Sequence, residues 1–144
     1  MAVHTTATPL IDAPRGLAGV VVTETEIGDV RGREGFYHYR QYPAVDLART
    51  RSFEDVWHLL VHGTLPDARR GAAFAAETAA LRGLPDDVRA ALPAIAAAGR
   101  SSGPLAGLRT ALSLLGAAQG FRPVYDIDAD RRRADTVAAC AAVP

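Results

Sequence analysis

The chain has 144 residues and a formal net charge of zero, with 16 Arg and no Lys set against 11 Asp and 5 Glu. One domain is the default at that length, and a compact fold of this size buries roughly 68–70% of its unfolded surface. The charge balance excludes a strongly basic footprint and argues against nucleic-acid binding, the single cysteine excludes an intramolecular disulfide, and no apolar run approaches the roughly 20 residues that span a bilayer.

Residues 1–14 are polar, carry no period and end in Pro14. They lack the basic-then-apolar order of a secretory signal. They read as a flexible N-terminal arm on a soluble, cytoplasmic protein. Val20 to Ile27 is β-branched and then alternating, and Phe36 to Arg40 is aromatic. Between them, Gly28 to Gly35 is dense in turn formers, so a β-hairpin over about residues 20–40 is expected. An isolated hairpin is marginal in water, so it must lie on helices or on a partner.

Helices follow from about residue 44 onward. Ala44 to Thr50 makes two turns. Ser52 is a good N-cap, with Asp55 three residues on as an imperfect capping box. Phe53, Val56, Trp57, Leu60 and Val61 then form one apolar face. Gly63 supplies a stop and Pro66 follows. Asp67 to Arg82 is an Ala-rich helix ended by Gly83. Asp86 to Ala98 is another, interrupted or kinked at Pro93 and closed by Gly99. Leu105, Leu108, Leu112 and Leu115 trace a further stripe, and Asp126 or Asp128 caps a last helix over Asp130 to Val143. Leu-Pro-Asp occurs at 65–67 and 84–86, a start signal used twice rather than a repeat. With 29 Ala and 6% aromatic residues, such a chain favours close helix packing over a thick aromatic core.

Few residues invite chemistry. His58 and His62 stand at i and i+4, a metal-ligand spacing, but Leu-Leu-Val lies between them and no third ligand is near. They read as packing or surface histidines, with His62 placed to complement the helix C-terminus. His38 reads as a solvent-facing strand residue. Gly16-Leu17-Ala18-Gly19 and Gly28 to Gly35 match no phosphate-loop pattern and read as turns. Arg131-Arg132-Arg133, flanked by Asp128, Asp130 and Asp135, reads as a solvated helix start. Cys140 reads as a small buried side chain. Ser52, Ser101, Ser102 and Ser113 have no traceable His–acid partners.

Several segments resemble the N-terminal signature of citrate synthases. Gly16-Leu17-Ala18-Gly19-Val20-Val21, Thr25-Glu26-Ile27 and Tyr39-Arg40-Gln41-Tyr42-Pro43 with Asp46-Leu47-Ala48 come first. Ser52-Phe53-Glu54-Asp55-Val56-Trp57-His58-Leu59-Leu60 runs on to Gly63-Thr64-Leu65-Pro66, and Leu108-Arg109-Thr110-Ala111-Leu112-Ser113-Leu114-Leu115-Gly116 follows. The matches keep the family's order over residues 15–144. Tyr125-Asp126-Ile127-Asp128 is similar to the bacterial citrate and 2-methylcitrate synthase branch. Gln41 stands where the family has Gly, and Gly103 where it often has His.

The resemblance implies a mainly α fold: a helical bundle of the citrate synthase large domain with a small N-terminal β-hairpin, here truncated to its N-terminal portion. It implies an acyltransferase of the tricarboxylic acid cycle that condenses acetyl-CoA, or propionyl-CoA, with oxaloacetate as a homodimer. No permanently bound cofactor, metal, nucleic acid or membrane is implied. The family's catalytic carboxylate, two histidines and substrate-holding arginines belong to the part this chain lacks, so no catalytic residue is expected here and none of the four His falls on a catalytic position. Arg15 resembles a position that approaches the phosphates of CoA, a task that suits a guanidinium. The competing expectation is a non-catalytic relative that serves as a homo- or hetero-oligomerisation module.

Overall fold

The computed structural model describes residues 12–101 and 103–144. Most of the expected arm, together with His4 and Ser102, lies outside the described residues. Residues 12–14 are exposed and lead into a short 3-10 turn, Arg15–Leu17.

Among the described residues, three short strands form one antiparallel sheet in the order β1-β2-β3. β1 (Gly28–Arg31) pairs with β2 (Phe36–Tyr39), Gly28 opposite Tyr39 and Arg31 opposite Phe36. β2 pairs in turn with β3 (Tyr42–Pro43) across the two-residue turn Arg40-Gln41, where Arg40 takes a left-handed φ of 51°. The hairpin is therefore present, but its first strand is the stretch expected to be the turn. Val21 and Val22 are exposed instead. The reason is loop closure. Gly32–Glu34 makes a single 3-10 turn, and Gly35 at φ 64° returns its N–H to the Gly32 carbonyl. Arg31 thus meets Phe36 at the smallest entropic cost. A β-branched run without a facing strand gains nothing from its propensity, which is mostly packing. Gly28 is required in β1, since a Cβ there would overlap the His38 carbonyl oxygen.

Among the described residues, six α-helices follow the expected order. α1 (Ala44–Thr50) buries Ala44 and Leu47 and lies against β2 and β3. α2 (Phe53–His62) starts with the full reciprocal capping box. The Ser52 hydroxyl accepts from the Asp55 N–H at 3.1 Å, and the Asp55 carboxylate accepts from the Ser52 N–H at 3.4 Å. Gly63, at φ 82°, closes it by donating to Leu59. α3 (Ala68–Ala80) is capped by Asp67, and α6 (Ala129–Ala141) by Asp128. α5 (Pro104–Ala118) begins with Pro in its first turn, where a missing N–H costs nothing. α4 (Asp86–Ala98) runs through Pro93 without interruption. The ring sits on an exposed face, and the hydrogen bond to the Arg89 carbonyl is forfeited.

The core is thin. Among the described residues its buried apolar members are Ala44, Leu47, Leu59, Phe74, Val88, Leu115, Val137 and Ala141. α2 turns Leu59 and His58 inward, while Phe53 on its expected apolar face is 73% exposed. Leu115 is buried but Leu105, from the same stripe, is 76% exposed. Residues 12–27 are exposed throughout, and among the large apolar side chains Phe53, Leu105 and Val143 also lie at the surface.

Candidate functional site

A cleft of about 660 Å³ lies between β2, α1, α2 and the end of α6. Tyr37 and Tyr39 come from β2, Leu47 and Ala48 from α1, and Phe53, Val56, Trp57 and Leu60 from α2. Cys140, Ala141, Val143 and Pro144 close the far side, with Arg51 and Arg82 among the lining residues. The aromatic wall is ordered by ring contacts: Phe53 to Trp57 at 6.0 Å, and Trp57 edge-on to Phe74 at 5.4 Å. Helix periodicity explains the alignment. Phe53, Val56, Trp57 and Leu60 are spaced by three and four residues and share one face.

Proton abstraction next to a thioester needs a base beside the carbon and a donor at the developing oxyanion. The cleft offers neither arrangement. None of its lining residues is a carboxylate or a histidine. Arg82 is held by Glu54 at 3.5 Å. Such a lining suits apolar contact with a charged fringe.

The histidine pair lies elsewhere, between α2, α3 and α6. The buried His58 donates its Nδ1–H to the Thr64 carbonyl at 2.9 Å. Its ring stands 4.4 Å from that of His62, and Phe74 presents itself edge-on to both. His62 opens into a concavity of about 440 Å³ with Glu77, Asp130 and Arg133. Partial burial holds its pKa below the ordinary 6.5. His58 and Arg133 add to that lowering, and Glu77 opposes it. Among the described residues no group of three or more His, Cys, Asp or Glu is placed to hold a metal ion. The reading of these rings as packing and surface groups fits their contacts.

Arg15 is exposed on the 3-10 turn, where Gly16 has φ 69° and Leu17 φ 56°. Nothing among the described residues brings a second phosphate-binding group to it. The arginine run serves its own helix. Arg131 pairs with Asp135 at 2.7 Å, and Arg132 donates to the Val124 and Ile127 carbonyls. Cys140 is exposed at the cleft rather than buried, because the face of α6 that carries it is uncovered. His38 is half-buried, its Nδ1–H donated to the Arg40 carbonyl. Ser113 donates to the Arg109 carbonyl of its own helix. The cleft itself escaped sequence reasoning. The stripe on α2 was visible, but no sequence signal says that its partner surface is missing.

The family model described as citrate synthase, C-terminal domain, matches residues 16–144. The chain is 37% identical over 128 residues to the citrate synthase of Haloferax volcanii, spanning 87% of this chain and 33% of that protein. It is 42% identical over 116 residues to a citrate synthase of Mycolicibacterium smegmatis, spanning 78% and 30%. It is 40% identical over 106 residues to a 2-methylcitrate synthase of Mycobacterium tuberculosis, spanning 74% and 26%. The crystal structure of citrate synthase from Pyrobaculum aerophilum superposes with a TM-score of 0.69 at 22% identity, over 95% of this chain and 35% of that one. The likeness of fold thus extends through the helices and the small sheet, while the chain spans about a third of the length of these relatives. On this match, the chain belongs to the citrate synthase family.

Proposed function

We propose that this chain is the N-terminal scaffold of a citrate synthase-type acyltransferase. The complete enzyme would condense acetyl-CoA, or propionyl-CoA, with oxaloacetate and release CoA. The observation that carries the reading is the extent of the match: it runs over residues 16–144, yet the relatives continue to about three times that length. Among the described residues, the side chains that line the cleft include no carboxylate and no histidine. In this reading the 144-residue chain alone turns nothing over. CoA release by the pure chain, followed with a thiol reagent in acetyl-CoA and oxaloacetate, is expected to stay at the uncatalysed rate. Turnover that survives further purification overturns the reading.

Arg15 is the one substrate contact we assign, to a phosphate of CoA. In an enzyme completed with the missing region, Arg15→Ala is expected to raise KM for acetyl-CoA by about tenfold or more, the worth of a charge-assisted hydrogen bond, with kcat held. An unchanged KM removes Arg15 from the site. In keeping with the family reading, the complete protein would work as a cytoplasmic homodimer. A second reading, an oligomerisation module without catalysis, draws on one observation, the uncovered apolar cleft. A completed assembly that binds but forms no citrate would favour it.

A further inference from the structure

We propose that the free edge of β1 is a self-recognition surface. On it, β1 of a second copy of this chain adds as an antiparallel strand about a two-fold axis at Val30. The inference goes beyond the family reading and does not depend on it.

β1 is the outer strand of the sheet, and among the described residues nothing pairs with its far edge. Such an edge offers unpaired N–H and C=O groups to any strand that fits. The side chains decide what fits. Along β1 they alternate between the two faces of the sheet. Asp29 and Arg31 share one face with His38 and Phe36. There the Arg31 Nε donates to Asp29 at 3.1 Å, the guanidinium stands 5.3 Å over the Phe36 ring, and His38 Nε2 lies 4.0 Å from Asp29. Glu34 approaches Arg31 at 3.7 Å. The Asp29 and Arg31 side chains are nonetheless about half exposed. Val30 lies on the other face, opposite Tyr37, and is 75% exposed.

This pattern selects one register. An antiparallel pair of identical strands has a two-fold axis, and the partner surface is the same surface. With the axis at Val30, Val30 faces Val30 of the second copy. Asp29 of each copy then faces Arg31 of the other. Opposite charges across a strand pair favour it, and the two valines extend the apolar row that Tyr37 begins. With the axis at Asp29, two carboxylates face each other. With the axis at Arg31, two guanidiniums do. Like charges directly opposite are destabilising. A shift to Gly28 forfeits both ion pairs and the valine contact. Charge thus pins the register in a strand too short for burial to pin it. Four residues of edge make an interface at the small, weak end of the range, so the Kd is on the order of 0.1–1 mM.

The test mixes two variants of the full chain and reads association by sedimentation equilibrium. Asp29→Arg makes the charged pair wholly cationic, and Arg31→Asp makes it wholly anionic. Each variant alone should raise the Kd by about tenfold or more. An equal mixture of the two should recover the parent's association, because every charge then meets its opposite across the axis. Both variants lack the Asp29–Arg31 pair within the chain, alone or mixed, so only contact between copies explains recovery. Val30→Arg, at an exposed position, sets like charges at the axis and should abolish association by itself. Amide signals of residues 28–31 should shift with parent concentration. A parent chain that is monomeric throughout the millimolar range overturns the proposal. So does a mixture that stays monomeric while the parent associates. Association that is indifferent to Val30→Arg and to both charge variants also overturns it, and places the contact on another surface such as the apolar cleft.

Discussion

Ser52 shows how much a single side chain organises. Its hydroxyl and the Asp55 carboxylate satisfy two backbone N–H groups at the start of α2, the helix that supplies the aromatic wall of the cleft. Ser52→Ala is expected to lower stability by about 1 kcal/mol, read as an earlier urea midpoint with an unchanged m-value. His62 gives the chain a pH dependence of definite sign. Its unfolded pKa is near 6.5 and its folded pKa lies below that value, through burial first, then His58 and Arg133, against Glu77. Asp130 lies in the same concavity. Between the two pKa values the unfolded chain holds more protons, so stability rises with pH through that window and is fully present above it. His62→Gln should flatten the stability curve just below pH 6.5. A curve that keeps its slope in the variant assigns the dependence to another group. Ser52 is legible as a cap and Asp128 as one of two candidates with Asp126, since capping is decided within four residues, whereas Asp67, read as the first helical residue, is the cap itself. The exposure of Cys140 was not, because burial depends on what lies across from a helix and not on the helix itself.

At the scale of elements, helices were read to within two or three residues at most ends, whereas the hairpin was read one strand out of place. Side chains three and four apart meet by the geometry of the helix alone, so Phe53 to Leu60 declares itself. A strand needs a partner, and the partner of Phe36–Tyr39 was chosen by the tight Gly32–Gly35 connection rather than by the valines. Gly28→Ala is expected to break that choice. The new Cβ would strike the His38 carbonyl oxygen across the sheet, and chemical shifts of residues 28–39 should lose their strand pattern while the helices persist. Pro93 carries the opposite expectation. It sits inside α4 on an exposed face, so Pro93→Ala restores the N–H to the Arg89 carbonyl without disturbing a contact. A gain of about 1–3 kcal/mol is expected, read as a higher Tm. A loss would mean that the ring fixes the path of the helix.

At the scale of the whole molecule, apolar side chains of α2 and α5 line open clefts. With residues 12–27 exposed throughout, the chain should show a heat-capacity change on unfolding below the roughly 1.7–2.2 kcal/mol/K of a compact protein of 144 residues, as read by calorimetry. The cleft and the half-covered α5 stripe (Leu108, Leu112) open on the same end of the molecule, sharing Arg82, Val143 and Pro144 between their walls. Family, helix order, caps and the apolar stripe of α2 could be read from the amino acids, because each rests on local spacing or on a run of residues in order. Which strand pairs with which, and that the α2 stripe faces an empty cleft instead of a core, became visible only in three dimensions. Both depend on surfaces distant in the chain, whose presence or absence no local pattern records.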